Sequence, residues 1–315
     1  MKLQFIKWIL IRLYEKFYFL VIRNLDKYFP SFKKSPEGSP FGITDITIKL
    51  DENRELPINI EVIKYYLEHR FNLLGSGWKR VFYGMECDGF NGKKFPVQLS
   101  PKIDKEGNWL KNRINEANLN YSQKIWKLIY KANAPKNYSY SPIDWQIDFK
   151  SGFRWSEKVW YKDINYGKVE GADIKVPWEL ARMQHLPQLA IAFAIIPEES
   201  EYKNIKDLCF LEFRNQTLDF IATNPPRWGV NWACTMDVAI RAANMILAYE
   251  IFRANGAIID NEFKNIFKET IYNHAFHISK NLEWHPKWRN NHYLADIAGL
   301  LYACLLYTSP SPRDS

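Results

Sequence analysis

The densest group of chemically capable side chains lies in HPKWRNNHYLAD, residues 285–296, directly ahead of an apolar run. Two imidazoles, an Arg, a Lys, Trp288, two carboxamides and Tyr293 stand together there. Polar clusters on loops held by a helical scaffold are where binding and catalysis concentrate. Asn is also a frequent helix cap, so Asn290 or Asn291 can serve merely to start the helix that follows. A second junction, ATNPPRWGVNWACTMDVAIRAAN over residues 222–244, sets Arg227, Trp228, Asn231 and Trp232 before a helical pattern. Its Trp-Gly-x-Asn-Trp grouping offers the flat rings and amide groups that line a sugar groove. Inside that pattern Asp237 and Arg241, at i,i+4, read most simply as a helix salt bridge. A third stretch, DIKVPWELARMQHLPQL over residues 173–189, places Arg182 and His185 on one helix face. A lone His there is more often a hydrogen-bonded structural residue than a catalyst. His274 and His277 stand at i,i+3, but a zinc site needs at least one more ligand and none is evident, so no metal and no other cofactor is expected.

Those groups need elements to hold them. The opening segment, residues 1–34, is mostly apolar but interrupted by Lys7, Arg12, Glu15, Lys16, Arg23 and Lys27, most of them on one side of a helical wheel. Such a basic amphipathic helix can rest on an anionic membrane surface or dock onto the rest of the protein. It lacks the uncharged core and small-residue cut site of a signal peptide, and about 20 uninterrupted apolar residues for a membrane span are absent. Residues 35–42, SPEGSPFG, form a turn-rich linker. Alternation in ITDITIKL and the segment KRVFYGMECDG predict short strands and turns around one helix over about residues 60–73. Residues 109–130 read helical again, and 134–171, rich in Pro, Tyr, Trp and Gly, read as an ordered aromatic loop. From Pro177, well suited to a first helical turn, successive helices are predicted, running on through 232–255, 260–282 and from Tyr293 onward. Helices joined by aromatic and Asn/Pro-rich loops predict a mainly α array or toroid with a small N-terminal α+β portion, and no fixed-length repeat marks a solenoid.

Composition narrows the partners. The net charge of +8 and pI near 9.1 favour an anionic one: nucleic acid, anionic lipid or an acidic polymer. An aromatic share of 16% serves core packing and also suits pyranose rings, which stack on flat π-faces. Cys87, Cys209 and Cys234 are scattered and read as buried thiols. Phosphate-binding loops, a nucleophile elbow and a dinucleotide fingerprint are missing from the sequence, which removes the common nucleotide-dependent and serine-hydrolase classes.

The last residues follow a different logic. Apolar spacing continues to Leu306 without a cap and then meets Pro310 and Pro312. CLLYTSPSPRD matches the in-frame translation of a transposon-based sequencing adapter. Residues 304–315 are therefore expected to be a non-native tail, and residues 1–303 a fragment cut in mid-element.

Taken in order, FNLLGSGW (71–78), IDWQIDFKSGFRW (143–155), GADIKVPWELARMQHLPQLA (171–190), NPPRWGVNWACTMDVAIRAAN (224–244) and NNHYLADIAGLLY (290–302) resemble the N-terminal domain of the heparinase II/III-like polysaccharide lyases. The resemblance implies an incomplete (α/α) toroid over residues 43–303, followed in the family by a β-sandwich absent from this chain. It implies β-elimination at a uronic acid of an acidic polysaccharide, with no nucleic acid as partner. The NNH element matches the family position that neutralises the sugar carboxylate, which assigns Asn291 and His292 that role. Arg182, His185, Asn231 and Trp232 are expected to line the groove. The family's catalytic Tyr and a further His would lie past Ala303, so this chain alone is expected to be inactive. Tyr293 does not match the family's Tyr position. A toroid that binds glycans or assists their export without catalysis is the alternative. The family points to the bacterial envelope or periplasm; the missing signal peptide points to the cytoplasm.

Overall fold

The structure, a computed structural model, is described over residues 2–36, 58–132, 134–136, 138–284 and 290–307, and for residues 2–10 and 12 over the backbone alone. The predicted strand segment 43–50, most of the 35–42 linker, residues 285–289 and the end of the tail lie outside the described residues.

The chain is mainly helical. Helix α1 spans Lys2–Tyr28, α2 Ile60–Leu67, α3 Glu116–Ile129, α4 Lys175–Ala181, α5 His185–Ile195, α6 Lys203–Thr223, α7 Thr235–Ala254, α8 Asn261–Lys280 and α9 Asn291–Tyr307. The described strand content is one short antiparallel pair, β1 (Arg70–Phe71) against β2 (Lys79–Arg80). Helix α2 stops at Leu67, short of the predicted 73, because His69 adopts a left-handed backbone (φ 57°) and turns the chain into β1. The predicted helix over 109–130 is a 3₁₀ turn, Asn108–Asn112, followed by α3. The helix predicted to run on from Pro177 is two helices. Met183, at φ 55°, breaks it between α4 and α5, so Arg182 and His185 do not share a helix face.

Packing runs from neighbour to neighbour through α3, α6, α5, α7 and α9, with α8 against both α7 and α9. Helix α6 is enclosed from Leu211 onward although LEFRNQTLDF reads polar. Its polar groups hold the aromatic loop. Asp219 accepts from Tyr140 Oη (2.9 Å), the Ile143 N–H (2.8 Å) and Trp145 Nε1 (3.3 Å). Glu212 accepts from Tyr138 Oη (2.7 Å) and contacts His69 Nε2 (2.8 Å). Buried polar groups persist only when partnered in this way.

A second, smaller core made by Trp160, Tyr161, Trp228, Trp232, Val238, Ala239 and Ile278 receives Phe19 and Ile22 of α1 and Leu300 of α9. Here α9 lies directly on α7. A Cβ placed on Gly299 would sit 2.7 Å from the Ala239 Cβ and 2.8 Å from its Cα. Gly299→Val is therefore expected to prise α9 from α7 at a cost of roughly 1–3 kcal/mol. Thermal unfolding measures it; an unchanged midpoint would mean that the helices can part freely.

Candidate functional site

The N-termini of α7 and α9 meet around Glu283. Its carboxylate accepts the Met236 N–H through Oε2 (2.9 Å), satisfying one of the orphan donors at the start of α7. The same oxygen lies 3.2 Å from His292 Nδ1, and both carboxylate oxygens lie 3.9–4.0 Å from Cys234 Sγ. Asp296, one turn along α9, accepts the Glu283 N–H at 2.7 Å. Burial lifts the Asp296 carboxyl to about 6, above the usual carboxylate range, and burial likewise raises the Cys234 thiol. Positive helix ends favour carboxylates, which explains why this corner tolerates them.

Asn290 resolves the capping question. Its Oδ1 accepts the Tyr293 N–H (3.3 Å), so Asn290 caps α9. Asn291 begins the helix with an exposed side chain whose Nδ2 is 3.9 Å from Met236 Sδ. His292 is about one-third exposed (36%), its Nδ1 committed to Glu283. Glu283 also lines an open cavity of about 560 Å³ with Tyr161, Lys162, Tyr166, Lys280 and Asn281, and α1 contributes Glu15 and Phe19 to its wall.

The other residues expected at a groove sit elsewhere. Arg182 caps α4, pairs with Glu179 and donates Nε to Asp237 Oδ1 at 2.5 Å. This replaces the expected Asp237–Arg241 bridge. Arg241 instead turns inward, fully buried. It donates to His274 Nε2 (2.9 Å) and the Asn231 carbonyl (3.0 Å) and stacks over the Phe220 and Trp232 rings. Burial pulls its guanidinium down to about 9.

His185, Asn231 and Trp232 are each buried. His185 meets Gln216 Oε1 (2.7 Å) and packs on Phe71, and burial depresses its imidazole to about 4, leaving it neutral. Asn231 Nδ2 donates to the Trp145 carbonyl and to Asn224 Oδ1, both at 2.8 Å. Trp232 donates Nε1 to the Asn224 carbonyl (3.1 Å). The Trp-Gly-x-Asn-Trp grouping is therefore a structural knot that joins the aromatic loop to α7. Gly229, at φ 79°, passes so close to the Gln146 amide that a Cβ there would lie 2.7 Å away.

His274 spends its nitrogens on Arg241 and on the Thr270 carbonyl (2.8 Å), so it offers no metal ligand. Among the described residues, Cys234, Glu283 and His292 are the set whose ligand atoms fall within 4.8 Å of one another. That thiol, carboxylate and imidazole are of zinc type, but their mutual contacts and the Met236 N–H already account for them. Sequence reasoning missed Glu283. The signal was its place in NLEW, at the end of α8, with nothing to say that it folds back over α7.

No protein-family model matches the chain, and neither a curated protein nor a solved structure does.

Proposed function

We propose that this chain forms the incomplete (α/α) toroid of a polysaccharide lyase that cleaves a uronate-containing polymer by β-elimination. The observation that carries the reading is the position of Asn291 and His292. They stand solvent-accessible on the first turn of α9, where His292 Nδ1 lies 3.2 Å from Glu283, and Glu283 in turn lines a cavity with two lysines and two tyrosines.

The chemistry follows from what the reaction needs. Removing the C5 proton of a uronate is hard because that proton is weakly acidic, and negative charge builds on the C6 carboxylate as it leaves. Donors aimed at that carboxylate stabilise the charge as it develops. The Asn291 amide supplies one such donor. His292 supplies another through Nε2 when its ring carries both protons, because Nδ1–H is held by the Glu283 carboxylate, which also sets the ring's orientation. The amide end of α9 adds positive potential at the same place. Lys162 and Lys280 offset the acidic side chains for an anionic chain, and the exposed Tyr166 presents a ring to pyranoses. The Tyr that moves the proton is, by the family resemblance, supplied by sequence beyond Ala303.

The test is the product. A protein carrying this chain together with that Tyr should release unsaturated uronates, seen as new ultraviolet absorbance, from an acidic glycan. Hydrolysis products in their place refute elimination. Glycan binding without any product assigns the toroid to recognition alone.

A further inference from the structure

Helix α1 is apolar on two sides. Its inner side is fixed to the body: Phe19 and Ile22 enter the smaller core, and Arg23 pairs with Asp163 at 2.5 Å. Asp26, buried, takes a two-pronged bond from Arg227 (2.7 and 2.5 Å) and one from Trp160 Nε1 (3.0 Å). Among the described side chains the outer side is bare. Leu13, Phe17, Leu20, Val21 and Tyr28 recur at helical spacing, opposite that docked face, each 38–77% exposed. Because Asp26 and Arg23 pin the inner side, the helix cannot roll to hide them. Contiguous apolar patches of this kind mark an interaction surface.

Charge decides what covers it. Lys16 and Lys27 lie on one line of the helix along the edge of the bare face, and both are exposed. Among the described side chains of α1 the two acids are withdrawn: Asp26 is buried under Arg227 and Glu15 lies toward the cavity. Two copies meeting on this face would bring lysines together with no exposed acid of α1 to answer them. A surface of anionic headgroups over acyl chains offers both complements at once. Among the described residues no helix is long and apolar enough to cross a membrane, so the helix would lie in the plane.

We propose that α1 is an interfacial anchor that seats the chain on an anionic lipid surface through Leu13, Phe17, Leu20, Val21 and Tyr28, with Lys16 and Lys27 at the headgroups. The same helix walls the cavity beside Glu283, so the anchor would hold that cavity close to the membrane plane. The proposal does not depend on the lyase reading.

Flotation of the full chain with vesicles tests it. The chain should float with vesicles of equal parts phosphatidylglycerol and phosphatidylcholine, and less in raised salt. Phe17→Glu with Leu20→Glu should lower the bound fraction at least about tenfold. Lys16→Glu with Lys27→Glu, which alters only exposed lysines, should weaken binding to these vesicles while leaving circular dichroism unchanged. Failure to float with them overturns the proposal, as does equal flotation of parent and Phe17→Glu/Leu20→Glu chains. A dimer seen by light scattering that this double substitution dissolves, without vesicle binding, assigns the face to a second copy.

Discussion

Arg154→Met is expected to leave the chain unfolded, or nearly so, at room temperature. Arg154 sits between two buried carboxylates. Its Nε meets both oxygens of Asp144 (3.0 and 2.8 Å), and its two terminal nitrogens meet both oxygens of Glu157 (2.8 and 2.6 Å). All three side chains are at most 6% exposed. Even with the guanidinium present, burial raises the Asp144 carboxyl above its ordinary range. Removing one partner of a buried ion pair costs about 3–5 kcal/mol because the other charge stays behind. Here Asp144 loses the Arg it pairs with and Glu157 keeps only the more distant Arg113 (3.5 Å), so a loss of about 5 kcal/mol is expected against a usual total of about 5–15 kcal/mol. Urea unfolding checks the size. Adding Asp144→Asn and Glu157→Gln to Arg154→Met should restore a large part, since neutral amides are cheaper to bury. If Arg154→Met alone unfolds within about 1 kcal/mol of the parent, water reaches this triad and the burial argument is wrong.

The second large effect concerns turnover. In the proposed lyase, Asn291→Ala is expected to lower kcat on the order of 10²–10³, the usual consequence of losing one donor to charge that develops in the transition state. KM should change much less, because the C6 carboxylate gains most of its negative charge after binding. The neighbouring Asn290→Ala supplies the contrast. It removes the cap on α9 at a cost of about 1 kcal/mol in stability but takes nothing from the sugar, so kcat should hold. Rates of unsaturated uronate formation by the two variants separate the roles. Equal losses would mean that the Asn pair only starts the helix.

Much of the fold was legible because it rests on local apolar spacing. Helices α7, α8 and α9 begin within a few residues of where Met236, Asp260 and Tyr293 place them, and Asp260 caps α8 by accepting the Phe263 N–H. The thiols of Cys87, Cys209 and Cys234 are buried, as their scatter implied. Helix α6 was not legible. Glu212, Asn215, Gln216 and Asp219 look like solvent-facing residues until Tyr66 of α2, His69 beyond it, and Tyr138 and Ile143 of the aromatic loop arrive as their partners. The break at Met183 was equally hidden, since a left-handed residue inside an apolar pattern leaves no mark on its spacing.

The sequence by itself determined that a polar Asn-Asn-His group stands just ahead of an apolar helix, that α1 is basic and amphipathic, and that the chain is mainly helical. Those properties follow from residue type and from interactions within a few positions along the chain. Only the tertiary structure decided that Glu283 bridges the starts of α7 and α9, that Asn231, Trp232 and His185 are interior, and that one apolar side of α1 stays uncovered. Each of these depends on which distant segment arrives against a side chain: burial and pairing across tens of residues turn the same Asn, His or Glu into a strut or a reachable group.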